Sequence, residues 1–288
     1  MRPAGWLTPA PRGALYRRMP SRITLLLGAI VSVWLAAAGP AQGQTEPATP
    51  VVSPADQRRS GFSFMSPSTQ ALQRDDGQNP AMLWVRDGER LWRAARGPAT
   101  ASCSTCHGDV TQSMRDVATR YPAWDQGLGR VIGLPHRISL CRERHQGVAA
   151  GAAEPDEGLA LEALIARQSR GLPIAAVEDP RLQPALEQGR ALYQLRIGQM
   201  GLSCRDCHDQ RAGQRLAGSP IPEGHPTAYP IYRLQWQALG TLSRRLRGCF
   251  TGVRAEPPEA HSEVMTALEL FLRDRAAGMI HEGPGVRP

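Results

Sequence analysis

At 288 residues the chain is long enough for two modest domains, yet only 41 % of it is apolar and 5 % aromatic, so a core made of side chains alone would be thin. The formal net charge is +8 and every basic residue is an arginine. Five of those arginines (Arg2, Arg12, Arg17, Arg18 and Arg22) precede residue 23 with no acid among them, so loss of that segment leaves +3, which excludes the electrostatic footprint of a nucleic-acid binder.

Arg17, Arg18 and Arg22 lead into the apolar run Ile23–Ala38 and then the small residues GPAQG. This pattern predicts a secretory signal over 1–43, starting at Met1 or Met19. The run is too short for a comfortable span and Pro40 follows it, so no membrane span is expected after cleavage. Residues 44–75, rich in Pro, Ser, Thr and Gln, read as an extended N-terminal arm.

The next segment, GERLWRAARGPATASCSTCH (88–107), places Leu91 and Trp92 one helical turn after Gly88 and ends on C-x-x-C-H. In an exported chain that pentapeptide is the attachment signature of c-type haem. Two thiols add to the porphyrin vinyl groups, and the following histidine lies beneath the iron. Cys103, Cys106 and His107 are thus expected to hold one haem. A zinc site more often pairs two C-x-x-C units without the fixed histidine. YPAW (121–124) follows, and then a helix in which Leu161, Leu164 and Ile165 recur at helical spacing before Gly171.

The same unit then returns. GRALYQLRIGQMGLSCRDCH (189–208) matches at an offset of 101, pairing Gly88/Gly189, Leu91/Leu192, Trp92/Tyr193, Gly97/Gly198 and Ser102/Ser203. Cys204, Cys207 and His208 are expected to hold a second haem. YPIY (229–232) echoes YPAW, and Val264, Leu268 and Phe271 precede Gly278 as the earlier apolar set precedes Gly171. Strand-like alternation is nearly absent. The expectation is a mainly α chain of two tandem cytochrome c-like domains related by internal duplication, at 76–178 and 179–288, joined near 171–184. Two buried porphyrins would supply much of the missing apolar surface.

The distal iron ligand separates the functional alternatives. Met114 is the only methionine between His107 and Met200, and seven residues past the histidine it is too close to arch over the ring. His136, His145, His225, His261 and Met265 stay open as ligands. Cys141 and Cys249 also trail the two motifs, each with an arginine four residues earlier, Arg137 and Arg245. A Cys141–Cys249 disulfide is the structural alternative. It would require equivalent positions of two repeated domains to face each other, so the spacing favours two thiolate ligands. A low-pKa thiolate beside arginines is nucleophilic, and guanidinium suits a small dianion.

CSTCH, LCRERHQG (140–147), CRDCH and RRLRGCFTGVRAEP (244–257) together resemble the SoxA family, dihaem cytochromes that pair with SoxX. The resemblance implies two covalent haem c groups and a periplasmic location. It further implies oxidative conjugation of thiosulfate to a cysteine of the carrier SoxYZ (L-cysteine S-thiosulfotransferase), with electrons passed to cytochrome c. On the same grounds Cys141 would be the distal ligand of haem 1, and Cys249 that of haem 2 and the bearer of a persulfide. Arg245 would bind the substrate. A dihaem electron-transfer cytochrome and a dihaem peroxidase are the rival readings. Both require methionine or histidine opposite at least one iron.

Overall fold

The computed structural model describes residues 57–95, 101–148 and 156–288. The expected signal at 1–43, residues 44–56 and Gly97 lie outside them. Within the expected extended arm, residues 61–74 are mostly helical instead: a 3₁₀ turn at Gly61–Phe64 and then α1 (Pro67–Arg74). The reason is local. Ser66 caps the Thr69 amide and Pro67 opens the helix with its φ already set.

In the first repeat, α2 (Met82–Arg93) buries Val85, Gly88 and Trp92 along one stripe. Three short helices follow, α3 (Cys103–His107), α4 (Val110–Ser113) and α5 (Val117–Arg120). A hairpin of β1 (Ala123–Asp125) and β2 (Arg130–Ile132) then leads into α6 (Leu134–Gln146) and α7 (Asp156–Gln168). The second repeat has α8 (Gln183–Gln194) and α9 (Cys204–His208) in the same places. A small extra hairpin, β3 (Arg215–Leu216) with β4 (Ser219–Pro220), precedes the hairpin of β5 (Ile231–Arg233) and β6 (Ala238–Gly240). Helices α10 (Leu242–Gly252) and α11 (Glu263–Arg275) follow, and β7 (Gly285–Arg287) ends the chain parallel to β5. The hairpins were invisible to alternation because each strand is only two or three residues long. No helix among the described residues is long and apolar enough to cross a membrane.

The repeated glycines now have a cause. A Cβ on Gly88 would lie 2.3 Å from the Ala160 carbonyl oxygen, and one on Gly189 would lie 2.0 Å from that of Ala267. Glycine lets α2 touch α7, and α8 touch α11, backbone to backbone. The aromatic partners are equivalent too: Trp92 donates to the Gly108 carbonyl at 3.0 Å, and Tyr193 donates to the Asp209 carboxylate at 2.6 Å. Gly171 and Gly278 adopt positive φ (85° and 82°) in the turns beyond α7 and α11, a little past the cap positions expected for them. Val264, expected on the apolar stripe, is exposed.

The repeats interlock. Val131 of β2 lies in the core of the second repeat with Leu268 and Phe271, whereas Leu239 of β6 lies in that of the first with Leu161 and Leu164. The chain leaving α7 pairs with the chain leaving α11 through Ile174 N to Met279 O and His281 N to Leu172 O, both 2.8 Å. Arg273 of α11 donates to the Arg120 and Pro122 carbonyls of the first repeat. The described residues accordingly fall within a single compact unit.

Candidate haem and thiolate sites

Both C-x-x-C-H segments are single helical turns capped alike. Ser102 and Ser203 accept from the amides of Thr105 and Asp206, whose side chains accept in return from the serine amides. Each turn therefore starts rigidly and presents its two cysteines and histidine within a single five-residue helix. None of the six cysteines is in a disulfide.

His208 is held from behind. Its Nδ1 lies 2.7 Å from the Pro222 carbonyl, the partner that fixes a tautomer and leaves Nε2 with a lone pair for a ligand. Gly224, at φ +77°, lies so close that a Cβ there would be 3.1 Å from His208 Cγ. Cys249 is hydrogen-bonded to the His208 side chain. Helix α10 delivers it: Thr241 caps the Arg244 amide, Leu246 and Phe250 turn into the core, and Arg245 and Cys249 share a half-buried face one turn apart. Burial pushes the Cys249 thiol up. The hydrogen bond to His208 and the charges of Arg245, His208 and Arg233 outweigh it, so its pKa falls below the ordinary thiol value. Cys204, close to Cys249, is pushed up to about 11, chiefly by burial.

At the first motif, Cys103 is raised by burial and by the neighbouring Cys141 of α6. His107 is exposed, with the Trp92 ring 5.8 Å away. Arg137 differs from its counterpart Arg245. It forms an ion pair with Asp125 and donates to the Tyr121 hydroxyl at 3.3 Å. The Arg245 side chain makes no hydrogen bond or ion pair with any described residue, and only its backbone amide donates, to the Thr241 carbonyl at 3.3 Å.

Most of the other methionines and histidines are engaged elsewhere. Met114 and Met265 are buried in the two cores. His136 stacks near His261 with centroids 5.2 Å apart. The Nδ1 of His225 meets the Arg59 carbonyl at 3.0 Å, and His145 is exposed at the end of α6. The Pro222 carbonyl, Tyr229 and Arg233 were not singled out from sequence, although aligning YPAW with YPIY brings the last two into register with Tyr121 and Asp125.

A mainly helical chain in which a unit of four helices and a hairpin, bearing C-x-x-C-H, occurs twice is a tandem c-type cytochrome. A family model described as SoxA/TsdA, cytochrome c domain, matches residues 87–174 and again 188–280. The L-cysteine S-thiosulfotransferase subunit SoxA of Pseudaminobacter salicylatoxidans is 31 % identical over 281 residues, covering 94 % of this chain and 98 % of that protein. The subunit of the same name from Rhodovulum sulfidophilum is 34 % identical over 232 residues, 81 % of each chain. The crystal structure of SoxXA from P. pantotrophus superposes with a TM-score of 0.77 at 32 % identity, covering 80 % of this chain and 87 % of the other. The chain belongs to the SoxA family.

Covalently bound haem c is the cofactor of that cytochrome domain. The residues present fit it. Free cysteine pairs adjoin each histidine, Nδ1 of His208 is already satisfied, and the Cys249 side chain is hydrogen-bonded to the same imidazole.

Proposed function

We propose that this chain is the catalytic cytochrome subunit of a periplasmic L-cysteine S-thiosulfotransferase, exported by the segment at 1–43 and paired with SoxX. It acts on thiosulfate and on a cysteine of the carrier SoxYZ. Two haem c groups would be held, one by Cys103, Cys106, His107 and Cys141, the other by Cys204, Cys207, His208 and Cys249. The observation that carries the reading is the Cys249 side chain hydrogen-bonded to that of His208, with the charge of Arg245 acting on it from one turn earlier on α10.

The reaction joins a carrier thiol to the outer sulfur of thiosulfate, releasing one proton and two electrons. Arg245 binds the anionic sulfonate and brings the outer sulfur to the Cys249 persulfide. Oxidative formation of a sulfur–sulfur bond between them releases the two electrons. The carrier thiolate then attacks the thiosulfate-derived sulfur, and the Cys249 persulfide departs as the leaving group, restoring the starting state. Haem supplies the electron acceptor, and cytochrome c receives the electrons afterwards. The arginines around Cys249 keep its sulfur anionic through both bond exchanges.

An electron shuttle or a peroxidase would need methionine or histidine opposite iron. The packing of Met114 and Met265 into the cores speaks against methionine in that place. The test is Cys249→Ala in the holoprotein with SoxX, following carrier mass on addition of thiosulfate. Loss of the adduct is expected. Full turnover in that variant rejects the mechanism.

A further inference from the structure

The hairpin and helix that frame Cys141 correspond residue for residue to those that frame Cys249. An offset of 108 carries Tyr121 onto Tyr229, Asp125 onto Arg233, Arg137 onto Arg245 and Cys141 onto Cys249. The ladders agree: Asp125 pairs with Arg130 at the rung where Arg233 pairs with Ala238. Within a shared frame, the charge at one position is reversed.

The consequence is local. In the first repeat Asp125 neutralises Arg137, and its side chain is only 3 % exposed, so that guanidinium is committed to the fold. In the second repeat no carboxylate takes the corresponding place. A second guanidinium does, near enough to Arg245 and Cys249 for their charges to act on one another. Among the described residues, no Asp or Glu side chain pairs with either arginine. Arg233 is fixed at one edge only. Its Nε donates to the Pro288 carbonyl at 2.9 Å, and its Cζ stands 5.3 Å from the centre of the Trp236 ring. The η nitrogens remain as a fork of donors. Two like charges held together repel each other, which a bound dianion relieves.

We infer that Arg233 is a second substrate-binding residue, which forms with Arg245 a paired-guanidinium clamp for the sulfonate end of thiosulfate while its outer sulfur meets Cys249. This deepens the proposed function and rests on it. Two arginines match the two charges of the substrate, and their forked donors match its three sulfonate oxygens. A monoanion would satisfy only half the clamp, so the pair also selects for charge.

The experiment uses the haem-loaded complex with SoxX and the variants Arg233→Gln, Arg233→Asp and Arg245→Gln. The readouts are thiosulfate KM and kcat, and the inhibition constant of sulfate, an unreactive tetrahedral dianion. Loss of one charge-assisted contact should raise KM and the sulfate constant about tenfold in Arg233→Gln, with kcat within about twofold. Arg233→Asp should raise both about a hundredfold, because it gives Arg245 the partner that Asp125 gives Arg137. If Arg245→Gln raises both constants and Arg233→Gln changes neither, the clamp is refuted while the proposed function stands. If neither variant changes either constant, the substrate site itself is misplaced and the clamp falls with it. Should Arg233→Asp fail to load haem, Arg233→Gln alone decides.

Discussion

Val131 of the first hairpin is buried in the core of the second repeat, and Leu239 of the second hairpin is buried in the core of the first. Each repeat therefore completes its neighbour's interior, and neither has a finished core of its own. Leu239→Ala should cost about 2–5 kcal/mol, the range for truncating a buried leucine. Unfolding should remain one transition, with far-ultraviolet and Soret circular dichroism moving together. Two separated transitions in the variant or the parent would show that the halves unfold independently.

The glycine pair at the helix crossings predicts a sharper effect. A methyl at position 189 would lie 2.0 Å from the Ala267 carbonyl oxygen and 2.8 Å from Phe271 Cβ, so α8 and α11 would have to part. Gly189→Ala should destabilise by about 1–3 kcal/mol or more, against the ordinary helix preference for alanine. Gly252→Ala is the control. That glycine ends α10 with nothing within 4 Å of its would-be Cβ, and the change should be neutral or stabilise by up to about 1 kcal/mol. Denaturant midpoints of the two variants check the contrast, and equal shifts would contradict it.

Much of this arrangement was legible in the chain, and the part that was not has a physical reason. Cysteines, histidines and close-packed glycines recur because covalent attachment and helix contact tolerate few alternatives, so Gly88/Gly189 and Cys141/Cys249 stand out at near-constant offsets. The helix α1 was hidden in a polar stretch whose only signal was Ser66–Pro67, a cap followed by a first-turn proline. The exchange of Val131 and Leu239 is non-local, and no periodicity within a repeat reports which core receives its side chain. The Pro222 carbonyl behind His208 was equally silent, because a backbone acceptor carries no residue-type signature.

His281 gives the fold a pH dependence of definite sign. Burial, reinforced by the charge of Arg170, holds its imidazole down to about 4, although a backbone hydrogen bond with Ala166 works the other way. The unfolded chain takes up a proton near 6.5, and the folded protein refuses it until about 4. Stability should therefore fall as pH drops through that window and be fully present above it, with a loss of up to roughly 3 kcal/mol. Carboxylates such as Asp76, whose pKa lies below 3.8, lose their contribution at more acid pH, outside this window. Denaturant titrations from pH 7 to 4.5 should show the slope in the parent and a much flatter line in His281→Gln. An unchanged slope in the variant assigns the effect to other groups.

Asp125 separates structure from catalysis at the first motif. Its carboxylate pairs with Arg137 and accepts the Leu128 amide at 2.6 Å. Asp125→Ala leaves both donors without their acceptor and should cost about 2–4 kcal/mol. Thiosulfate KM should stay where it was, because this arginine serves the hairpin and not the substrate. A raised KM with unchanged stability would place substrate at the wrong haem.

Cys141 completes the contrast. It stands beside Cys103 as Cys249 stands beside Cys204, but its nearest arginine by spacing is already neutralised. If both cysteines ligate iron as proposed, the first haem would be low in potential yet would lack the free guanidinium that Arg245 offers at the second. Cys141→Ala should change the absorption and electron paramagnetic resonance of one haem while leaving carrier conjugation within about threefold of the parent. Cys249→Ala should change the other haem's signals and remove conjugation. If the two variants lost activity alike, the duplicated sites would share the chemistry, and the different partners of Arg137 and Arg245 would not account for where it happens.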